Sequence, residues 1–136
     1  MSEKSKNSNN SDNITMYPIG YVQNDVVERA SARNMKDRES RIVLKEEYAE
    51  GLYRLDGLER IQVLFHFHLS KGFDMIQTRR YDGENVGVFA SRSPDRPNGI
   101  GVTIVDLVKV EGNVIYVTGL DAVNNTPVLD IKPQLD

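Results

Sequence analysis

The chain has no cysteine. That removes disulfides, thiolate metal sites and thiol nucleophiles at once. It has only two histidines, so an imidazole metal site would need a carboxylate to complete it. No apolar run approaches the length of a membrane-spanning helix, and the first residues lack the apolar stretch of a signal peptide. An excess of basic residues is missing too. Seventeen Lys and Arg against 20 Asp and Glu leave a net charge of −3, which gives no overall electrostatic footprint for nucleic acid. A soluble cytoplasmic protein is the starting expectation, and 136 residues suit a single domain with one core.

What is present reads mostly as strands. Met1 to Thr15 is rich in Ser and Asn and nearly free of apolar side chains, so residues 1–15 are expected to be a disordered tail. The folded domain is expected over 16–136. Tyr17 to Gln23 reads as an opening strand, Asp25 to Ser40 as a long polar loop and Arg41 to Glu47 as a second strand. Leu52, Leu55 and Leu58 recur every three residues, which suits a short helical turn. In Ile61 to Leu69, Ile61, Val63, Phe65, Phe67 and Leu69 alternate with Gln62, Leu64, His66 and His68. Asn85 to Ser91 reads as a strand. Val102 to Val110 and Val114 to Leu120 read as strands joined through Glu111-Gly112-Asn113. The pattern predicts an all-β fold, a small barrel-like single domain with short helical turns.

Three constellations could carry chemistry. The first is ASRSPDRPNGIG, Ala90 to Gly101. Arg92 and Arg96 lie four apart, Pro94 and Pro97 restrict the backbone, and Gly99 and Gly101 permit positive φ or close approach. A rigid cationic loop suits an anion or carboxylate; the ordinary alternative is a tight connection with solvated arginines. The second is LDAVNNTPVLDIKP, Leu120 to Pro133. Asp121, Asn124 and Asn125 make a polar turn whose backbone could read an adenine edge. Asp130 and Lys132 share a strand face, as a proton acceptor with its neighbour or as a simple ion pair. The third is His66-Phe67-His68, which suits a cofactor contact, a metal site of cupin type completed by Asp74 or Glu84, or a hydrogen-bonded structural histidine.

The first two motifs, in this order, resemble the TrmO family, also called the YaeB or TsaA family. The likeness is strong from Gly57 to Pro133 and weaker through Tyr17 to Val22. It implies a β-barrel-like fold, S-adenosyl-L-methionine as methyl donor, and methylation of the exocyclic amine of a threonylcarbamoyl-modified adenosine beside the tRNA anticodon. It also implies a homodimer with the cofactor near the subunit interface. Carried over to this chain, it implies cofactor contacts from His68, Leu69, Arg92, Val102, Asp121, Ala122, Val123 and Asn124. Arg96, Arg79, Arg80 and Lys132 would face the substrate, and Asp121 and Asp130 are the candidate bases. A basic patch for tRNA would draw on Arg29, Arg33, Lys36 and Arg38 together with Arg79 and Arg80.

The sequence departs from the family in four places. Gly99 stands where the family usually has proline, and Gln134 where it usually has tyrosine. The early Pro-Arg-Gln motif has no clear counterpart, Arg33-Asn34-Met35 lying in about the right region. The additional C-terminal domain that bacterial members often carry is not expected. The competing readings are methyl transfer to a small molecule or protein, a metal-binding barrel, and a nucleotide-binding module without turnover.

Overall fold

Among the described residues there are eight strands, six of which close on one another. The computed structural model describes residues 12–27 and 37–135. Expectations for residues 1–11, and for Arg29, Arg33, Arg33-Asn34-Met35 and Lys36, lie outside the described residues. The strands are β1 (Gly20–Gln23), β2 (Glu39–Leu44), β3 (Arg60–His66), β4 (Ile76–Thr78), β5 (Asn85–Gly87), β6 (Ile100–Glu111), β7 (Val114–Thr118) and β8 (Pro127–Pro133). The barrel runs β1-β2-β7-β6-β3-β8, and β4 with β5 forms a separate two-stranded ribbon. All its pairings are antiparallel.

The inward residues are those that alternation selects. Ile61, Val63 and Phe65 of β3 meet Val22, Ile42, Val105, Ile115, Val117 and Val128 in one buried core. A 3-10 segment (Glu46–Leu52) and a second (Leu55–Gly57) set Leu52, Leu55 and Leu58 against that core. The two are separated by Arg54 at φ 70°. The β6–β7 connection turns at Gly112, whose φ of 60° favours glycine.

Several boundaries differ from the sequence reading. The second strand stops at Leu44, because the acidic Glu46 and Glu47 open a 3-10 turn with no buried residue. The third stops at His66, since Phe67 N–H turns to the carbonyl of Gly99 at 2.7 Å. Asn85 to Ser91 is strand only to Gly87; a 3-10 turn over Val88–Ala90 follows, anchored by buried Val88. Gly101 belongs to β6 rather than to the arginine loop, and it is needed for space. A Cβ there would lie 2.7 Å from the ring ends of Phe65 and Phe67, which pack edge to face at 5.3 Å.

Gly20 is constrained by backbone. A Cβ there would strike the Val43 carbonyl oxygen and lie 2.8 Å from Leu44 Cα, both on the paired strand β2. Neither can yield without breaking the ladder. Gly20→Ala is expected to cost roughly 1–3 kcal/mol, read as a lower urea midpoint with an unchanged slope.

Candidate functional site

The outward face of the barrel wall is as ordered as its core. Directly paired residues share a face, so Ile104, Gln62 and Lys132 form one row across β6, β3 and β8. Val102, Leu64 and Asp130 form the next. Ile100, Val102 and Ile104 all remain exposed along this face. A cleft of about 470 Å³ opens over it, lined by Gln62, Arg92, Val102, Thr103, Ile104 and Asp121. Arg92, Val102 and Asp121, singled out from separate parts of the sequence, therefore meet in one place. Arg92 also donates from Nη2 to the Val102 carbonyl at 2.9 Å, which points its guanidinium along the cleft wall.

The arginine loop is held by more than its prolines. Arg96 donates from Nη1 to the carbonyls of Ser91 (2.9 Å) and Ser93 (3.0 Å). Ser91 Oγ accepts from the Ser93 N–H, and Ser93 Oγ accepts from the Asp95 N–H. Asp95 accepts from the Ser70 hydroxyl through Oδ1 and from Gln77 through its carbonyl. Gly99 closes the loop at φ 46°, which suits glycine in a position where proline could not sit. Arg96 is thus part of the frame that presents Arg92.

The segment after β7 is fixed from behind by Asn24, which sequence reading passed over as one polar residue in a polar stretch. Its Nδ2 donates to Ser40 Oγ and to the Ala122 carbonyl, each at 3.0 Å. Its Oδ1 accepts from Val26 N–H at 3.0 Å, and its own N–H donates to Asn124 Oδ1 at 2.9 Å. The Asn124 N–H donates to the Val26 carbonyl. Ala122 and Val123 are buried, so Asp121 is the member of the group whose side chain reaches the cleft. The backbone groups that could have read an adenine edge are in part committed to this network.

The other expected residues are more scattered. Asp130 and Lys132 pair at 3.2 Å, both half exposed, on the face shared with Gln62 and Leu64. His68 is half-buried and Leu69 exposed beside the arginine loop; neither lines the cleft. Burial, and then the nearby His66, hold the His68 imidazole below its ordinary value, against a hydrogen bond to the His66 backbone that raises it. Arg79 grips Asp82 through two bonds (2.6 and 3.1 Å) and donates to the Ala90 carbonyl. Arg38 pairs with Asp25 at 2.6 Å. Among the described residues, no group of three His, Asp or Glu gathers as a metal site would need.

The cleft fits an adenosyl-sulfonium cofactor in kind. Its volume lies in the ligand range of roughly 300–1,000 Å³. Val102 and Ile104 offer an apolar floor, Arg92 a paired donor for a carboxylate, and Asp121 an acceptor for hydroxyls or positive charge.

The chain has relatives among known proteins. The family profile described as the tRNA-methyltransferase O N-terminal domain matches residues 24–136. A human tRNA (adenine(37)-N6)-methyltransferase is 36% identical over 138 residues, covering 90% of this chain and 30% of the human protein. An S-adenosyl-L-methionine-binding protein of Archaeoglobus fulgidus is 36% identical over 132 residues, covering 90% of this chain and 93% of its own length. The crystal structure of TrmO from Pseudomonas aeruginosa superposes with a TM-score of 0.72 at 29% identity, over 90% of this chain and 56% of that one. The chain thus spans about a third of the human relative and about half of the Pseudomonas structure.

Two outcomes are expected. Asn24→Ala leaves the Ser40 hydroxyl and the Ala122 carbonyl short of a partner and should cost about 1–3 kcal/mol in chemical denaturation. His68 resists protonation when folded, whereas the unfolded chain takes up a proton near the ordinary value of 6.5. Its contribution to stability is therefore present above that value and lost as pH falls through the lowered folded value. The melting temperature of the wild type should drop over this window, and His68→Gln should flatten that part of the profile.

Proposed function

This chain belongs to the tRNA-methyltransferase O family, and on that premise we propose that it is an S-adenosyl-L-methionine-dependent methyltransferase acting on the exocyclic amine of the modified adenosine beside the tRNA anticodon. The observation that carries the reading is the convergence of Arg92, Val102, Ile104 and Asp121 on one cleft. Names of the relatives support both halves: one is a tRNA adenine methyltransferase, another an S-adenosyl-L-methionine-binding protein.

When bound, the cofactor supplies a methyl group activated on a sulfonium. The chain's residues bind, align and handle the proton. Arg92 is suited to hold the carboxylate at the far end of the cofactor. Val102 and Ile104 keep water from the apolar floor. An exocyclic adenine amine is a weak nucleophile, because its lone pair is delocalised into the ring. It must be held in line, and its proton must leave as positive charge develops on nitrogen. Asp121 is the better placed acceptor, since it lines the cleft and Asp130 does not. His68, Leu69, Ala122, Val123 and Asn124 contribute to the cofactor site as its surroundings. Arg80 and Lys132 face the RNA.

The cleft is open to solvent, and Ile100, Val102 and Ile104 leave an apolar edge exposed along β6. A second copy of the chain closing over that edge accounts for both, so the working state is a homodimer, in the cytoplasm where tRNA is found.

The test is a methyl-transfer assay on tRNA that carries the threonylcarbamoyl modification, read by mass spectrometry of the digested nucleosides. Gain of a methyl group on that adenosine is expected; bound cofactor with no transfer to tRNA would overturn the enzymatic reading. Arg92→Ala should weaken cofactor binding by roughly 1.5–3 kcal/mol and leave the melting temperature of the ligand-free chain nearly unchanged.

A further inference from the structure

The β4–β5 ribbon is not needed to close the barrel, and its tip and the turn after it present two exposed aromatic rings. Tyr81 at its tip is 80% exposed, and Phe89 beyond its second strand is 74% exposed. Both are presented by fixed backbone. Val88 is buried and its N–H donates to the Met75 carbonyl, so the residue after it, Phe89, is turned outward. At the tip, the Arg79 N–H donates to the Glu84 carbonyl at 2.7 Å, and the Gly83 N–H donates to the Arg79 carbonyl at 2.8 Å with φ at Gly83 of 72°.

Arg79 is the informative residue. Its guanidinium is spent on Asp82 and on the Ala90 carbonyl, and it lies 4.7 Å from the centre of the Tyr81 ring. One face of the ring is thereby covered by a locked cation, while the other face is open. A surface with an aromatic ring braced on one side and free on the other is suited to receive a flat partner. The segment from Lys71 to Arg96 is also positive within a chain of net charge −3: Lys71, Arg79, Arg80, Arg92 and Arg96 outnumber Asp74, Asp82, Glu84 and Asp95. The ribbon is tied to the cleft wall as well, because Ala90, which Arg79 holds, is two residues from Arg92.

We propose that the β4–β5 ribbon is a base-stacking platform for unpaired RNA, on which Tyr81 and Phe89 receive bases flanking the one presented to the cleft. Arg80 meets the adjoining phosphate, and Arg79 acts as the brace of Tyr81 rather than as a phosphate contact. Stacking tolerates any base, so the ribbon holds the strand while the cleft selects the reacting nucleotide. This rests on the tRNA reading above.

The experiment measures binding of tRNA that carries the threonylcarbamoyl modification to the full chain at a series of salt concentrations, with the melting temperature and sedimentation of each variant alongside. Tyr81→Ala and Phe89→Ala should each weaken binding roughly tenfold at every salt concentration, without changing the slope against salt. Tyr81→Phe should bind as the wild type does. Arg80→Ala should instead reduce the salt slope by about one. S-adenosyl-L-methionine affinity should be the same in all four. If wild-type chain binds tRNA and the two alanine variants bind it equally well, the platform is overturned while the tRNA reading stands. If the wild type binds no tRNA, both fall. If the alanine variants sediment as smaller species, the rings belong to a subunit contact and the platform is overturned.

Discussion

The register of β3 decides both sides of the barrel wall. It is flanked by β6 and β8, and every one of its residues is assigned by alternation. Ile61, Val63 and Phe65 fill the core, while Gln62 and Leu64 join the outer rows that carry the cleft floor and the Asp130–Lys132 pair. A slip of one residue would exchange the two sets and bury Gln62 where Val63 now packs. The bulge between Leu64 and Phe65 against β8 adjusts the strand at one point without disturbing this assignment. Core and cleft are therefore two readings of the same pairing, and neither can be altered alone.

On that wall, the side chains that line the cleft are set by residues that do not themselves face it. Arg96 spends its guanidinium on two carbonyls of its own loop, and Arg92 is the arginine that results at the cleft. Asn24 ties Ser40, Val26, Ala122 and Asn124 together, and Asp121 projects from the segment so held. Arg79 plays the same part for Tyr81. In each case a polar side chain satisfied within the protein holds the segment from which its neighbour projects. This division explains why arginines four apart in one loop are not equivalent.

The parts legible in the sequence were those with strong local pattern. The alternation of Ile61 to Phe65 gave the core face of β3, and Gly112 marked the β6–β7 turn. Arg92 and Asp121 stand in the two motifs and Val102 directly follows the first, and all three line the cleft. What escaped was set by long-range geometry. The strand Ile76–Thr78 is three residues, too short for a period to show, and it is needed to pair Asn85–Gly87, whose far end the sequence reading extends to Ser91. Asn24 looks like any polar loop residue until its partner 98 positions away is known. Arg96 carries no sign in sequence that its charge is turned inward. Of the two reasons the sequence offers for Gly101, positive φ or close approach, the structure uses the second, since the rings of Phe65 and Phe67 leave no room for a Cβ.

The seam between β1 and β8 has a consequence for the order in which the molecule is made. The two strands meet through only two residue pairs, Gly20 with Val128 and Tyr21 with Pro127, yet these join the two ends of the barrel's sequence. The contacts of Val22 and Asn24 with the segment 122–126 are of the same long span. Such contacts carry the largest loop-closure entropy and form late. During synthesis β6 and β7 can pair as a hairpin as soon as they emerge, and β3 can join them. The first strand must wait, its edge open, until β8 has left the ribosome. The ring shuts in one late event, and the turn bearing Asp121 takes its place in that event, so an incompletely made chain holds no competent cleft.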